Sequence, residues 1–156
     1  MLIRVIAVGT RMPDWVRTAV DDYTRRLPAD FRVEWKEVRA ETRGGSGAPE
    51  VWMEREAQRI RAQLPAGARL VVLDEHGRDL DTAQWAERMG RWRDDSRPVA
   101  LLIGGPDGLH GPLKREAAES LRLSSLTLAH PLVRVVLAEQ LFRGWSILAN
   151  HPYHRS

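Results

Sequence analysis

Continuous apolar runs constrain the fold of this chain more than any other sequence feature. Residues 70–73 and residues 99–103 are entirely apolar, which is typical of strands buried on both faces of a parallel sheet. Residues 2–8, which are apolar except for Arg4, indicate a third short strand, and Gly9 ends it. Because such runs alternate with segments of helical periodicity, the sequence predicts an α/β fold with helices covering a parallel sheet.

The segments between these strands carry the expected helix signals. Apolar residues recur at helical spacing over 15–27 and 51–64, and Asp81 or Thr82 is placed to cap a further helix that carries Trp85, Met89 and Trp92. We also expect a half-buried strand over 31–37, a turn over 74–79 and a short strand over 126–128. A chain of 156 residues suits one domain, spanning 1–156.

A long segment near the C-terminus, residues 132–148, is apolar around most of its circumference. A helix of this kind must be buried. It is either wrapped by its own chain or packed partly against a second subunit. Glu139 and Arg143 are four residues apart and are expected to pair along it.

Composition removes several classes of function. The chain has no cysteine, which excludes disulfides, thiolate nucleophiles and cysteine zinc sites. It has neither a signal-like start nor an apolar run of about 20 residues, so we expect a cytoplasmic protein with no membrane partner. The net charge is +3 and almost every basic residue is arginine, because Lys36 and Lys114 are the only lysines. This permits an RNA partner without requiring one.

Three segments that follow buried strands are candidates for chemistry, because ligands of open α/β sheets bind beyond the carboxyl ends of strands. The first is Leu73 with the two acidic residues after it. The second is the glycine-rich turn 104–109, whose paired glycines let a ligand approach the backbone and which matches neither a phosphate loop nor a dinucleotide fingerprint. The third is 123–155, ending in a tail with two histidines, a tyrosine and an arginine. The loop 41–49, with Arg43, Gly44, Gly45 and Gly47, is predicted to be mobile.

Together these segments resemble one known family. The motifs are Leu-Asp after a strand, Leu-Ile-Gly-Gly-Pro-Asp-Gly, Leu-Ser-Ser-Leu-Thr-Leu-Ala-His-Pro-Leu-Val-Arg and the terminal Asn-His-Pro-Tyr-His-Arg, with Val-Gly-Thr-Arg-Met-Pro-Asp-Trp-Val at residues 8–16. This set is similar to the ribosomal RNA large subunit methyltransferase H family of the SPOUT class, over essentially the whole chain.

The resemblance implies a SPOUT fold with a C-terminal trefoil knot, which is a rare exception to chain topology. It also implies a homodimer that binds S-adenosylmethionine in the knot loops, uses no metal, and methylates N3 of one pseudouridine in 23S ribosomal RNA within the assembled ribosome. The implied cofactor-binding residues are Leu73, Gly104, Gly105, Leu123, Ser124, Ser125, Leu126, Thr127 and Leu128, with His130 and Leu132 close by.

Methyl transfer from a sulfonium requires alignment of donor and acceptor, and the weakly acidic N3–H must lose its proton. We expect the tail of one subunit to complete the site of the other. Tyr153 would pack on the base, Arg155 would hold a phosphate or an oxyanion, and His154 would accept the proton, unless bulk water does. Arg-rich edges and the loop around Arg43 would contact the RNA.

Other functions remain open from the residues alone. The chain could be a ribosome-associated RNA-binding factor without catalysis, or a SPOUT methyltransferase of another RNA. A nucleotide hydrolase is disfavoured, because the phosphate loop and metal-ligand clusters are missing.

Overall fold

The computed structural model describes residues 1–44 and 47–155, so Gly45 of the predicted mobile loop lies outside the described residues. Its centre is a five-stranded sheet in the order β2-β1-β4-β3-β5, in which every pairing is parallel. The predicted α/β fold is therefore confirmed. The elements are β1 Leu2–Val8, α1 Asp14–Arg25, β2 Arg32–Val38, α2 Pro49–Arg61, β3 Arg69–Asp79, α3 Thr82–Asp95, β4 Val99–Ile103, α4 Gly111–Glu116, β5 Glu119–Arg122, α5 His130–Leu148 and a 3₁₀ helix Pro152–His154.

Both faces of the sheet are covered, as the apolar runs predict. All five residues of β4 are buried. Leu101 belongs to a core cluster with Met89 of α3 and Leu137 of α5, whereas Leu102 belongs to a second cluster with residues of α2 and α4. Successive residues of a strand point to opposite faces, so an uninterrupted apolar run serves two cores at once.

The start of α3 and the pairing along α5 agree with the sequence. Asp81 accepts a hydrogen bond from the Gln84 backbone N–H, and the Gln84 side chain accepts one from the Asp81 N–H, which forms a capping box. Arg143 forms an ion pair with Glu139 at 2.6 Å. Within the described part of the chain, no helix is both long and apolar enough to cross a membrane.

Two predictions of local structure were wrong. Residues 74–79 do not form a turn, because β3 continues to Asp79 with an irregularity between Leu73 and Arg78. Residues 126–128 do not form a strand, and Leu126 is 72 % exposed. The fifth strand is β5, which contributes one buried residue, Leu121. A strand with so little apolar content is specified by its pairing with β3 rather than by its own pattern.

Candidate active site

The loops at the carboxyl ends of the strands lie along one edge of the sheet, because all five strands are parallel. Gly104 directly follows β4 and Leu123 directly follows β5. Leu73 is level with Ile103 on one side and with Leu121 on the other. The starts of the three segments that the sequence singled out therefore lie at this edge.

The glycine turn after β4 is packed tightly against itself. A Cβ on Gly104 would lie 2.6 Å from the carbonyl carbon of Gly108 and 2.7 Å from the nitrogen of Leu109. Gly108 has a φ of +83° and donates a hydrogen bond to the Gly105 carbonyl at 2.9 Å. Gly104 is thus required by the turn's own backbone, and not only by the approach of a ligand as the sequence suggested.

Gly105 is closely surrounded by side chains and not by backbone. Its Cβ would lie 3.0 Å from Cγ1 of Val8 and 3.3 Å from a carboxylate oxygen of Glu56. Glu56 is a residue of α2 that is only 2 % exposed. Sequence analysis did not find it, because a single glutamate in a helix rich in Glu and Arg gives no periodic signal.

The segment after β5 is irregular and presents apolar side chains to solvent. Ser124 Oγ accepts a hydrogen bond from the Leu126 N–H at 2.9 Å, which shapes the loop. Leu126 is 72 % exposed and Leu132, in the first turn of α5, is 43 % exposed. Leu123 and Leu128 are half-buried. This is an uncharged surface beside a glycine turn, and it can accept a flat apolar group such as a nucleobase.

His130 is the first residue of α5 and is held between two partners. Its Nε2 accepts a hydrogen bond from Nε of Arg134 at 3.0 Å, so this nitrogen carries no proton. Burial and the charge of Arg134 lower the pKa of His130 below 6.5, although a hydrogen bond with the Gly104 backbone opposes the shift. His130 is therefore a neutral link between α5 and the glycine turn.

Arg134 joins the ends of β1 and β2 to α5. It is 3 % exposed, and it donates hydrogen bonds to the Gly9 carbonyl at 2.8 Å and to Glu37 Oε2 at 2.5 Å. Burial lowers its pKa, and the partnership with Glu37 opposes that shift. Sequence analysis gave Arg134 no role, although an arginine with no acidic residue one turn away in an apolar helix was a usable signal.

A cavity of about 660 Å³ opens beside Arg134, between α1 and β2. Its walls combine apolar side chains such as Val16 and Trp35 with the charged Arg17 and Glu37. None of the residues predicted to bind the cofactor lines this cavity.

Two of the three tail residues predicted to be catalytic, Tyr153 and His154, pack on α5. The Tyr153 ring packs edge-on against Phe142 at 4.6 Å, and its hydroxyl donates to Glu139 Oε1 at 3.1 Å. Nδ1 of His154 lies 3.3 Å from Oγ of Ser146, and Arg155 is exposed.

The tail and the glycine turn are at different ends of α5. Ser146, which His154 contacts, follows His130 by sixteen residues, or about 24 Å of helix at a rise of about 1.5 Å per residue. A single chain therefore does not bring the predicted catalytic residues to the predicted cofactor residues. The described residues also contain no group of three or more His, Asp or Glu side chains arranged to hold a metal ion.

Known proteins resemble this chain along nearly its whole length. A family model described as a predicted SPOUT methyltransferase matches residues 1–154. The chain is 55 % identical to ribosomal RNA large subunit methyltransferase H of Bordetella avium, 54 % to that of Bordetella petrii and 51 % to that of Burkholderia lata, in each case over 100 % of both chains.

Solved structures show the same fold at low sequence identity. A putative methylase family protein from Neisseria gonorrhoeae superposes with a TM-score of 0.54 at 12 % identity, over 96 % of this chain and 93 % of the other. A probable methylase family protein from Haemophilus influenzae gives 0.57 at 12 % identity, over 99 % and 70 %. Three observations point to the same family. They are the parallel sheet, the motif segments that start at one edge of it, and the family match over nearly the whole length. The chain belongs to the SPOUT methyltransferase family.

Proposed function

We propose that this chain is an S-adenosylmethionine-dependent methyltransferase of large-subunit ribosomal RNA, acting on N3 of one pseudouridine in the assembled ribosome. The main support is full-length identity of 51–55 % to relatives named ribosomal RNA large subunit methyltransferase H. A cytoplasmic location follows from such a substrate.

The chemistry of the sheet edge suits the cofactor. S-adenosylmethionine would supply a methyl group that its sulfonium already activates, so the chain needs to bind and align rather than to activate. The exposed Leu126 offers apolar contact to an adenine ring, and the half-buried Leu123 and Leu128 flank it. The residues proposed to hold the cofactor are Leu73, Gly104, Gly105, Leu123, Ser124, Ser125, Leu126, Thr127, Leu128, His130 and Leu132.

Removal of the N3 proton requires a group that is unprotonated at neutral pH. Burial and the nearby Glu139 carboxylate raise the pKa of Tyr153 to about 12, which makes its phenol unsuitable as a base. Of the tail residues, His154 is the proposed proton acceptor, with bulk water as the alternative. Tyr153 would pack on the target nucleobase, and the exposed Arg155 would contact phosphate or an oxyanion.

The separation along α5 supports a homodimeric active site. Tail and cofactor loops lie at different ends of the helix, and apolar surface on Leu132 remains uncovered in one chain. If two copies pack together through α5, the tail of one copy could reach the cofactor edge of the other.

Mixing two inactive variants tests this arrangement. The double variant His154→Ala, Arg155→Ala lacks a working tail, and Leu126→Glu places a charge in the cofactor loop at an exposed position that the fold tolerates. If the tail acts across the dimer, refolded mixtures should recover about a quarter of wild-type methylation, since half the dimers are mixed and each has one intact site. If the tail serves its own chain, the mixtures will stay inactive.

A ribosome-associated RNA-binding factor without catalysis is the alternative. Calorimetric titration with S-adenosylmethionine separates the two, because such a factor gives no binding heat. The target nucleotide is tested by mass spectrometry of ribosomal RNA from cells that lack the gene. Retention of the methylated pseudouridine there would refute the proposed substrate.

A further inference from the structure

Glu56 is a buried carboxylate beneath the glycine turn. It is 2 % exposed, lies on α2, and approaches to 3.3 Å of the position of a Gly105 Cβ. An isolated buried charge is costly and persists only when it is paired and hydrogen-bonded. Its partners therefore indicate what the site stabilises.

These partners come from the segment after β2. Glu56 Oε2 accepts a hydrogen bond from the Glu41 N–H at 2.9 Å and from Arg43 Nη1 at 2.5 Å, and Oε1 accepts from Arg43 Nη2 at 3.2 Å. The guanidinium thus binds the carboxylate through both of its terminal nitrogens.

Arg43 also reaches the glycine turn. Its Nε donates to Asp107 Oδ2 at 3.0 Å, and its Nη1 donates to the Glu41 carbonyl at 2.7 Å. The Arg43 side chain lies in the loop that was expected to contact RNA, but it is engaged within the protein. One guanidinium joins three parts of the fold: α2, the segment after β2, and the turn that follows β4.

A second contact holds the same segment to α2 without touching the turn. Arg59 donates to the Arg39 carbonyl at 2.8 Å and to Glu41 Oε2 at 2.6 Å. Arg59 and Arg43 thus tether the same segment to the same helix, but only Arg43 binds Asp107. This difference separates support of the segment from support of the turn.

We propose that Arg43 and Glu56 are positioning residues for the methyl donor, an inference that rests on the proposed function. Glu56 supports the turn from below at Gly105, and Arg43 holds it from the side at Asp107. Together they fix the position of the glycine turn at the edge of the sheet where the cofactor is proposed to bind. Lysine cannot replace Arg43, because an ammonium lacks the planar fork that bonds two carboxylates at once.

The test compares Arg43→Lys with Arg59→Lys. Both changes conserve the positive charge and alter a contact between α2 and the segment after β2, but only the first alters the contact with Asp107. Calorimetry should show an about tenfold weaker Kd for S-adenosylmethionine in Arg43→Lys and an unchanged Kd in Arg59→Lys. The KM for S-adenosylmethionine should rise by a similar factor in Arg43→Lys and stay at the wild-type value in Arg59→Lys. Equal Kd values in the two variants would overturn the inference while leaving the proposed function intact. Absence of binding by wild type would overturn both.

Two further measurements support the test. The first does not depend on cofactor binding, and the second uses a different variant. Amide hydrogen exchange over residues 104–109 should be faster in Arg43→Lys than in Arg59→Lys, and equal rates would contradict the proposal. Asp107→Asn should also raise the Kd for S-adenosylmethionine, as Arg43→Lys does. Adding it to Arg43→Lys should give little extra effect, because both changes break one bridge. Fully additive losses would show that Arg43 does not act through Asp107.

Discussion

Gly77 lies directly against the backbone of Leu121. A Cβ at Gly77 would be 2.6 Å from the carbonyl carbon of Leu121 and 2.8 Å from its nitrogen and oxygen. Here the irregular stretch of β3 between Leu73 and Arg78 lies close to β5, which leads into the loop 123–128. A side chain at Gly77 would meet backbone atoms of Leu121. The two strands could make room for it only by moving apart, which would break their pairing.

Gly77→Ala should therefore destabilise the fold by about 3 kcal/mol, the upper range for overpacking. Thermal or denaturant unfolding measures this directly. Gly111→Ala is the matched control, because its Cβ would meet only the flexible end of Arg115 at 3.2 Å. Equal stability of the two variants would contradict the close approach.

Glu119→Gln should destabilise the protein by about 2 kcal/mol at neutral pH, because the carboxylate accepts hydrogen bonds from Trp92 Nε1 at 2.7 Å and Arg69 Nε at 3.1 Å, and from Arg88. Glu116→Gln, at a carboxylate that is 50 % exposed, should have a much smaller effect. Chemical denaturation of both variants makes the comparison.

The same carboxylate gives an acid dependence. Burial alone would raise the pKa of Glu119, but the hydrogen bonds from Trp92, Arg69 and Arg88 outweigh it and hold the pKa below 4.5. A lowered carboxyl pKa contributes stability that is complete above the unfolded value and lost as pH falls through the folded value. Unfolding free energy should thus decline below about pH 4.5 more steeply in wild type than in Glu119→Gln. Parallel declines would refute this.

His130 should titrate below 6.5, because burial and the charge of Arg134 disfavour its protonated form. Its contribution to stability is present above the unfolded pKa and lost as pH falls through the lowered folded pKa. NMR titration of the His130 ring measures the pKa. Asparagine at this position should remove that part of the pH dependence, whereas a ring pKa at or above 6.5 would contradict the contact with Arg134.

Tyr153 should remain un-ionised well above its ordinary pKa of 10.0, owing first to burial and then to the Glu139 charge. The only other tyrosine is Tyr23, so spectroscopic titration of a Tyr23→Phe chain follows Tyr153 alone. Because the hydrogen bond with Tyr23 also raises the Tyr153 pKa, the pKa in this variant should lie above 10.0 but below that of wild type. Adding Glu139→Gln should lower this pKa toward 10.0 without reaching it. An ordinary pKa in Tyr23→Phe would reopen the phenol as a base.

The local pattern predicted most of the fold. Apolar runs located β1 and β4, and helical spacing located α1, α2, α3 and α5, because burial imposes those periods on any strand or helix. It failed at β5, where one buried residue carries too little signal. It also failed at residues 74–79, where pairing with β5 maintains a strand in polar sequence.

The candidate site divides in the same way. The motif segments around Gly104 and His130 were found through resemblance and through their position after strands. Glu56 was not found, since its importance depends on Arg43 and Asp107, which are distant in sequence. The trefoil knot stays a prediction, because no residue pattern records how a chain is threaded.

The sequence by itself determined the α/β class, the edge of the sheet that carries the motifs and the family, because these depend on local periodicity and on short contiguous motifs. Only the tertiary structure decided that Arg43 binds Glu56 and Asp107, that Arg134 joins two strand ends to α5, and that the tail lies a helix length from the glycine turn. Those relationships depend on distances between residues far apart in the chain, and local sequence does not encode such distances.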